Sequence, residues 1–218
     1  MNYIEQTLIK IASEELIKKE FETTKQFLEI HSIEVENDDF KIANIIMNEY
    51  FAYIFFNVWN EDFYFVAYFN LKSIIEIAGT SSEPKFEIYV QSGSEVLSDK
   101  NLMEFTKLVP TRHWNIGDKR KSGKTFYKFS SLIFEPTTKP DFFENKLKNT
   151  LDFLENDREG IFKLSENSNS TLVIFTTYHN GNTLLDDIFI SKEDLKRISN
   201  LNLNIEFAGF AKGNFYKD

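Results

Sequence analysis

The residue run with the most obvious chemical promise is Ser122-Gly123-Lys124-Thr125, which reads like the end of a phosphate-binding loop. Such a loop needs a glycine, four residues, then glycine–lysine–serine or threonine, so that successive amides cradle a phosphate ahead of a helix. Here Gly117 stands one residue too far from Gly123, and Phe126-Tyr127 continues as a strand, so a polar turn accounts for the segment. The three histidines, His31, His113 and His179, are isolated, with no second histidine at helical spacing and no H-E-x-x-H pattern. No G-x-S-x-G nucleophile elbow occurs. Cysteine is absent, which excludes disulfides, cysteine-ligated zinc, iron–sulfur clusters and thiol chemistry. Two groups of carboxylates have the chemistry to gather a cation: Asp186-Asp187, and Glu34, Glu36, Asp38 and Asp39. Alternation puts Glu34 and Glu36 on one strand face, which makes an acidic ridge rather than a cage. The sequence therefore assigns no catalytic residue, no metal and no cofactor.

Charge is divided unevenly. The net charge is −9, and residues 1–80 hold 14 acids and 6 bases, a net of −8, leaving −1 for residues 81–218. A surface of one sign steers partners of the opposite sign and argues against nucleic acid there. The opposite sign collects around Arg112, His113, Lys119, Arg120, Lys121, Lys124 and Lys128, interleaved with Trp114, Phe126 and Tyr127. Such a stretch suits a phosphate backbone or a stacked base, but with the chain acidic overall the favoured account is a solvated loop beside a buried tryptophan, and nucleic acid is not the expected partner.

These residues need a frame. Hydrophobic residues make up 42% and charged residues 27%, a globular composition long enough for one large or two small domains. The first residues carry no basic segment followed by an apolar core, and the apolar stretches Phe51–Phe56 and Phe63–Phe69 are too short to cross a bilayer. The expected compartment is the cytoplasm, with no membrane partner.

Residues 3–30 follow a helical stripe through Ile4, Leu8, Ile11, Leu16, Phe21 and Leu28, with a break expected at Ser13 or Thr23. Ser32–Glu36 alternates as a strand. Residues 40–47, 50–59 and 63–70 form a β-meander, turned at Asn60-Glu61-Asp62. Leu71–Ala78 fits strand or helix. Gly79-Thr80-Ser81-Ser82-Glu83-Pro84 reads as a linker, so segments 1–80 and 84–215 are expected as separate units. The second holds a strand at Phe86–Gln91 and a helix opened by Ser98 and carrying Leu102, Phe105 and Leu108. A strand at Thr125–Ser130 follows, then a helix from Pro140-Asp141 through Phe143, Leu147, Leu151 and Leu154. Next come a strand at Thr171–Tyr178, a hairpin at Asn180-Gly181, and a helix from Ser191 with Leu195 and Ile198 inward. A closing strand carries Leu203, Ile205 and Phe207 on one face. The fold class is α+β: a helix plus meander, then strand-helix-strand-helix-hairpin-helix-strand, with mostly antiparallel sheets packed against helices.

Within that order, Leu108, Pro110, Trp114, Gly117 and Asp118 follow the first helix of the second unit. This pattern resembles the bacterial domain of unknown function numbered 4279, over roughly residues 84–215. The family usually has a second tryptophan in the next strand, where Phe126 or Tyr127 stands here. The resemblance implies no reaction; it implies a structural role for the five motif residues and a toxin-immunity context. The expected function is therefore a non-catalytic binding protein neutralising a toxin. A cationic protein would be the partner, met by Glu34, Glu36, Asp38 and Asp39. The alternative is an enzyme or small-ligand-binding domain whose site is assembled from scattered residues.

Overall fold

The computed structural model describes residues 3–72, 74–121, 123–181 and 188–216. The N-terminal stripe forms two helices, α1 (Tyr3–Lys18) and α2 (Glu22–Ile30). They part at Lys19, whose φ is 56°, rather than at Ser13 or Thr23. The buried Glu15 holds this corner: its carboxylate accepts from the backbone N–H groups of Glu20 (3.2 Å) and Phe21 (3.1 Å). The start of α2 has no side-chain cap of its own at Phe21, so Glu15 of the preceding helix satisfies donors there.

A small hairpin follows, β1 (Val35–Glu36) with β2 (Asp39–Phe40). Asn37 and Asp38 turn it with φ of 52° and 67°, the left-handed pair that a two-residue hairpin demands. Then comes the antiparallel meander, β3 (Ile42–Met47), β4 (Phe51–Asn57), β5 (Tyr64–Asn70) and β6 (Glu76–Glu83), in spatial order β3-β4-β5-β6. One face packs Ile54, Phe56, Phe65 and Phe69 against Leu8, Ala12, Leu16 and Phe27 of the helices. The other face carries Phe55, Tyr64 and Val66, covered in part by Phe142 from the C-terminal half. Burial on both faces explains why β4 and β5 read as continuous apolar runs.

The expected linker is not irregular chain. Residues 79–83 complete β6, where Thr80 and Ser82 are buried and the Thr80 hydroxyl bonds those of Thr23 (2.6 Å) and Thr24 (2.9 Å). Small polar residues read as linker because composition cannot show that α2 supplies their hydroxyl partners. Pro84 alone separates β6 from β7 (Lys85–Ser94), which opens the second sheet.

That sheet has the order β11-β10-β7-β9-β8, with β8 (Arg112–Trp114), β9 (Ser130–Phe134), β10 (Asn169–His179) and β11 (Asn204–Lys212). Its pairs are antiparallel except β10–β11, which is parallel. Helices α3 (Asp99–Met103), α4 (Phe143–Glu155), α5 (Arg158–Asn167) and α6 (Lys192–Asn200) accompany it. Ile88, Val90, Leu132, Phe134, Leu172 and Ile174 pack against Leu147, Leu151, Leu164 and Ile198. The architecture is α+β with mostly antiparallel sheets. Among the described residues, no helix is long and apolar enough to cross a membrane.

Several expectations shift. The helix opened by Ser98 ends at Met103, so Phe105 and Leu108 lie beyond it. The strand expected at Thr125–Ser130 falls instead on Ser130–Phe134, all five residues of which are buried. Leu195 is exposed while Ile198 is inward, and Phe207 of the closing strand is exposed too. Both sides of β10 are already taken over Thr171–Thr177, by β7 and β11, which leaves that stretch no hairpin partner after Asn180-Gly181. Residues 182–187 lie outside the described residues.

Candidate functional site

The acidic ridge stands on the β1–β2 hairpin. Ile33 bridges Val58 in antiparallel sense, and the N–H groups of Glu34 and Trp59 donate to Asn57 O and Ser32 O, each at 2.8 Å. Ile33 and Val58 are buried, so this register puts Ser32, Glu34, Asn57 and Trp59 together on the outer face. Trp59 is 65% exposed and Val35 53% exposed. Glu34 is not free: its carboxylate accepts from Lys41 Nζ at 2.8 Å, and that pairing raises the Lys41 ammonium above its usual value. Glu36, Asp38 and Asp39 are exposed at the hairpin end. The site is thus an aromatic side chain on the outer face of the ladder that ends in the acidic hairpin. The charge pattern pointed to the acids. Only the register reveals Trp59, which by sequence belonged to an apolar strand.

The second motif builds a loop between β8 and β9. Trp114 is half-buried and stacks on Tyr127, with ring centroids 4.6 Å apart. Gly117 has φ 85°, and its N–H donates to Tyr127 O at 2.9 Å. Asp118 closes the turn by accepting from the Asn115 N–H at 2.7 Å, while Tyr127 N donates to Asp118 O. Leu108 and Pro110 are half-buried on the approach. The ladder continues outward through Lys119 and Phe126 toward Gly123, φ 73°. Lys119, Arg120, Lys121, Lys124 and Lys128 therefore decorate a projecting hairpin, with no helix to complete a phosphate loop; Ser122 lies outside the described residues. At its base, Arg112 pairs with Glu135 (3.4 Å), which neutralises part of the basic stretch locally, and His113 Nδ1 lies 2.8 Å from Asp99 Oδ2.

The model of the family described as "Domain of unknown function (DUF4279)" matches residues 84–209, more than half of the chain. The chain belongs to this family. No curated protein and no solved structure matches it. The matched DUF4279 region begins at the Pro84 junction, covers the second sheet with its helices, and ends within β11.

One cluster joins the DUF4279 region to the N-terminal half, and the sequence hid it. His31 and His179, read as isolated, meet with their Nε2 atoms 3.0 Å apart, and His179 Nε2 also lies 3.0 Å from Asn214 O. Phe27, Phe63 and Tyr216 surround them at aromatic contact distances. Burial pushes His179 down to about 4, and His31 beside it acts in the same direction. Burial also lowers His31, opposed by the charge of Glu61. Two mutually hydrogen-bonded neutral imidazoles in an aromatic cage form a structural joint. The nearby Lys212 adds to it, reaching Asn60 O (3.0 Å), Asp62 (3.2 Å) and Glu61 (3.4 Å).

For metal chemistry, no group of three or more suitable side chains occurs among the described residues. Asp186 and Asp187 lie outside the described residues. The open face of the second sheet does hold a cavity of about 340 Å³, lined by Gln91, Phe129, Thr171, Val173 and Glu206 among others. Among the described residues, its lining carboxylates Glu95 and Glu206 make no hydrogen bond to a hydroxyl or imidazole.

Proposed function

We propose that this protein is a non-catalytic binding protein, an immunity protein that neutralises a cationic toxin by masking it. Its docking face is the outer side of the Ser32–Lys41 segment together with Trp59. The observation that carries this reading is the solvent-facing Trp59, set on the same outer face as Glu34. Tryptophan is the side chain most enriched among residues that dominate interface energy, and a rim of unpaired acids steers a basic partner while contributing little to folding. Glu36, Asp38 and Asp39 supply that rim, set around the left-handed Asn37-Asp38 turn.

The test titrates this chain with the purified product of any toxin gene found beside its own. Trp59 and Trp114 are the two tryptophans, so a Trp114→Phe chain reports Trp59 alone by fluorescence. Binding at this face shifts that emission, and Trp59→Ala then weakens affinity at least tenfold, the scale of a central aromatic anchor. A toxin that binds tightly without altering Trp59 emission or responding to Trp59→Ala docks elsewhere, and the reading fails.

A further inference from the structure

We propose that strand β11 pairs edge-to-edge with β11 of a second copy of this chain, joining two five-stranded sheets into one. The observation is an edge that no described residue guards. β11 is the outermost strand beside β10 and runs in unbroken register with it for nine residues, Asn204 to Lys212. Long regular edges invite pairing, and proteins usually blunt them with bulges, prolines, short length or inward charges. The other edges show such devices. β8 has three residues, and β3 carries a register shift between Ile42 and Asn44. β6 is opposed by a shift at Tyr68/Phe69 and covered by the threonines of α2. β11 has no proline and no register shift, carries charge only at Glu206 and Lys212, and exposes Phe207 and Phe210, 58% and 49%.

The occupant follows from backbone parity and from the sequence of the strand. Lys212 O accepts from Asn180 N at 2.8 Å, so the even-numbered residues of β11 turn their backbone groups toward β10. The odd ones, Ile205, Phe207, Gly209 and Ala211, turn theirs outward, unpaired within the chain among the described residues. An antiparallel twofold pairing centred on Gly209 brings Gly209 to its own copy and Phe207 to Ala211, each an exchange of outward N–H and C=O groups. The same register sets Ala208 opposite Phe210 and Glu206 opposite Lys212, so each phenylalanine meets an alanine and each acid a base. Neighbouring registers lose this match: centred on Ala208, Glu206 faces Phe210; centred on Phe210, Lys212 faces Ala208. Lys212 already serves Glu61 and Asp62, so the ion pair selects the register while backbone bonds and phenylalanine burial supply the affinity.

Sedimentation velocity of the full chain over a concentration series tests the pairing. The wild type is expected to move from once to twice the chain mass as concentration rises. Ala211→Pro removes an outward donor without touching the β10 ladder, and is expected to abolish the dimer with the circular dichroism unchanged. Should that variant unfold, Glu206→Lys sets like charges opposite each other twice and raises the dimer dissociation constant roughly tenfold. The chain has no cysteine, so register can be read directly. Ala208→Cys combined with Phe210→Cys places thiols on opposed, non-hydrogen-bonded positions about 4.5 Å apart at Cα, within disulfide reach. Mild oxidation yields a covalent dimer from the double variant and none from either single one. A wild type that stays monomeric at every concentration overturns the proposal, as does a dimer indifferent to Ala211→Pro and Glu206→Lys, or a dimer that the double variant does not cross-link.

Discussion

The His31–His179 joint predicts a specific loss of stability in mild acid. In the unfolded chain a histidine titrates near 6.5, whereas burial holds His179 near 4 in the fold. The unfolded state therefore binds a proton at higher pH than the native state does. The stabilising preference is complete above the unfolded value and falls away as pH drops from about 6.5 toward about 4. Two and a half units of difference correspond to about 3 kcal/mol, of which about 2.5 is lost by roughly pH 4.5. His31 is lowered too and adds in the same direction. His179→Gln keeps a neutral amide in reach of Asn214 O and removes the titration. The measurement is urea unfolding from about pH 7.5 to 4.5 for wild type and variant. The variant should be less stable at neutral pH, because the cage no longer fits, and the gap should narrow by about 2 to 3 kcal/mol across the window. The carboxylates with lowered values, such as Asp152 and Asp157, titrate below this range and are common to both chains. A gap that stays constant with pH would refute the reasoning, because His179 would then not be held neutral.

Three further outcomes are expected. Glu36→Lys with Asp39→Lys should slow association with a cationic partner and weaken its salt dependence, while shifting the melting temperature little; Glu34 is unsuited to this test because Lys41 depends on it. Gly117→Ala should cost about 1 kcal/mol in thermal unfolding, as its φ of 85° lies where a side chain is strained, and Asp118→Ala a similar amount through the lost Asn115 bond. Melting curves with and without chelator, or with added ATP, should coincide; a shift of several degrees with either would reveal a metal or nucleotide site.

What the sequence discloses and what it conceals follow the range of the interactions involved. β4 and β5 are legible because both faces are buried, so apolar side chains run without interruption to the Asn60-Glu61-Asp62 turn. Helix α6 is legible from its cap, since the Ser191 hydroxyl accepts from Asp194 N within one turn. β6 is illegible because its Thr80 finds hydroxyl partners more than fifty residues away. α5 is missed because its apolar stripe, Ile161 and Leu164, is short and its first turn includes Gly160, against which the Asp157 carboxylate packs. The candidate site divides likewise. Charge counting finds Glu36, Asp38 and Asp39, but the exposure of Trp59 and the meeting of His31 with His179 across 148 positions are facts of tertiary register.

That register also bears on how the two halves work together. β6 passes into β7 across one proline, and Phe142 covers the meander face around Phe55, Tyr64 and Val66. Asn44 donates to Pro140 O at 2.8 Å, and Lys212 at the end of β11 reaches Asn60, Glu61 and Asp62 in the turn after Trp59. The segment bearing the acidic hairpin is thus tied to the C-terminal half at three separated places: the Phe142 face and the histidine joint, which lie in the DUF4279 region, and the Lys212 contacts just beyond its end. A docking face on so short a ladder is worth little if it can swing, because ordering it on binding would cost conformational entropy. Lys212 holds the turn next to Trp59, and the His179 joint holds His31 beside Ser32, so under the proposed function these ties would limit that cost. If the proposed docking face is the right one, a substitution that breaks the histidine joint, such as His179→Gln, should weaken binding through lost order without touching a contact residue.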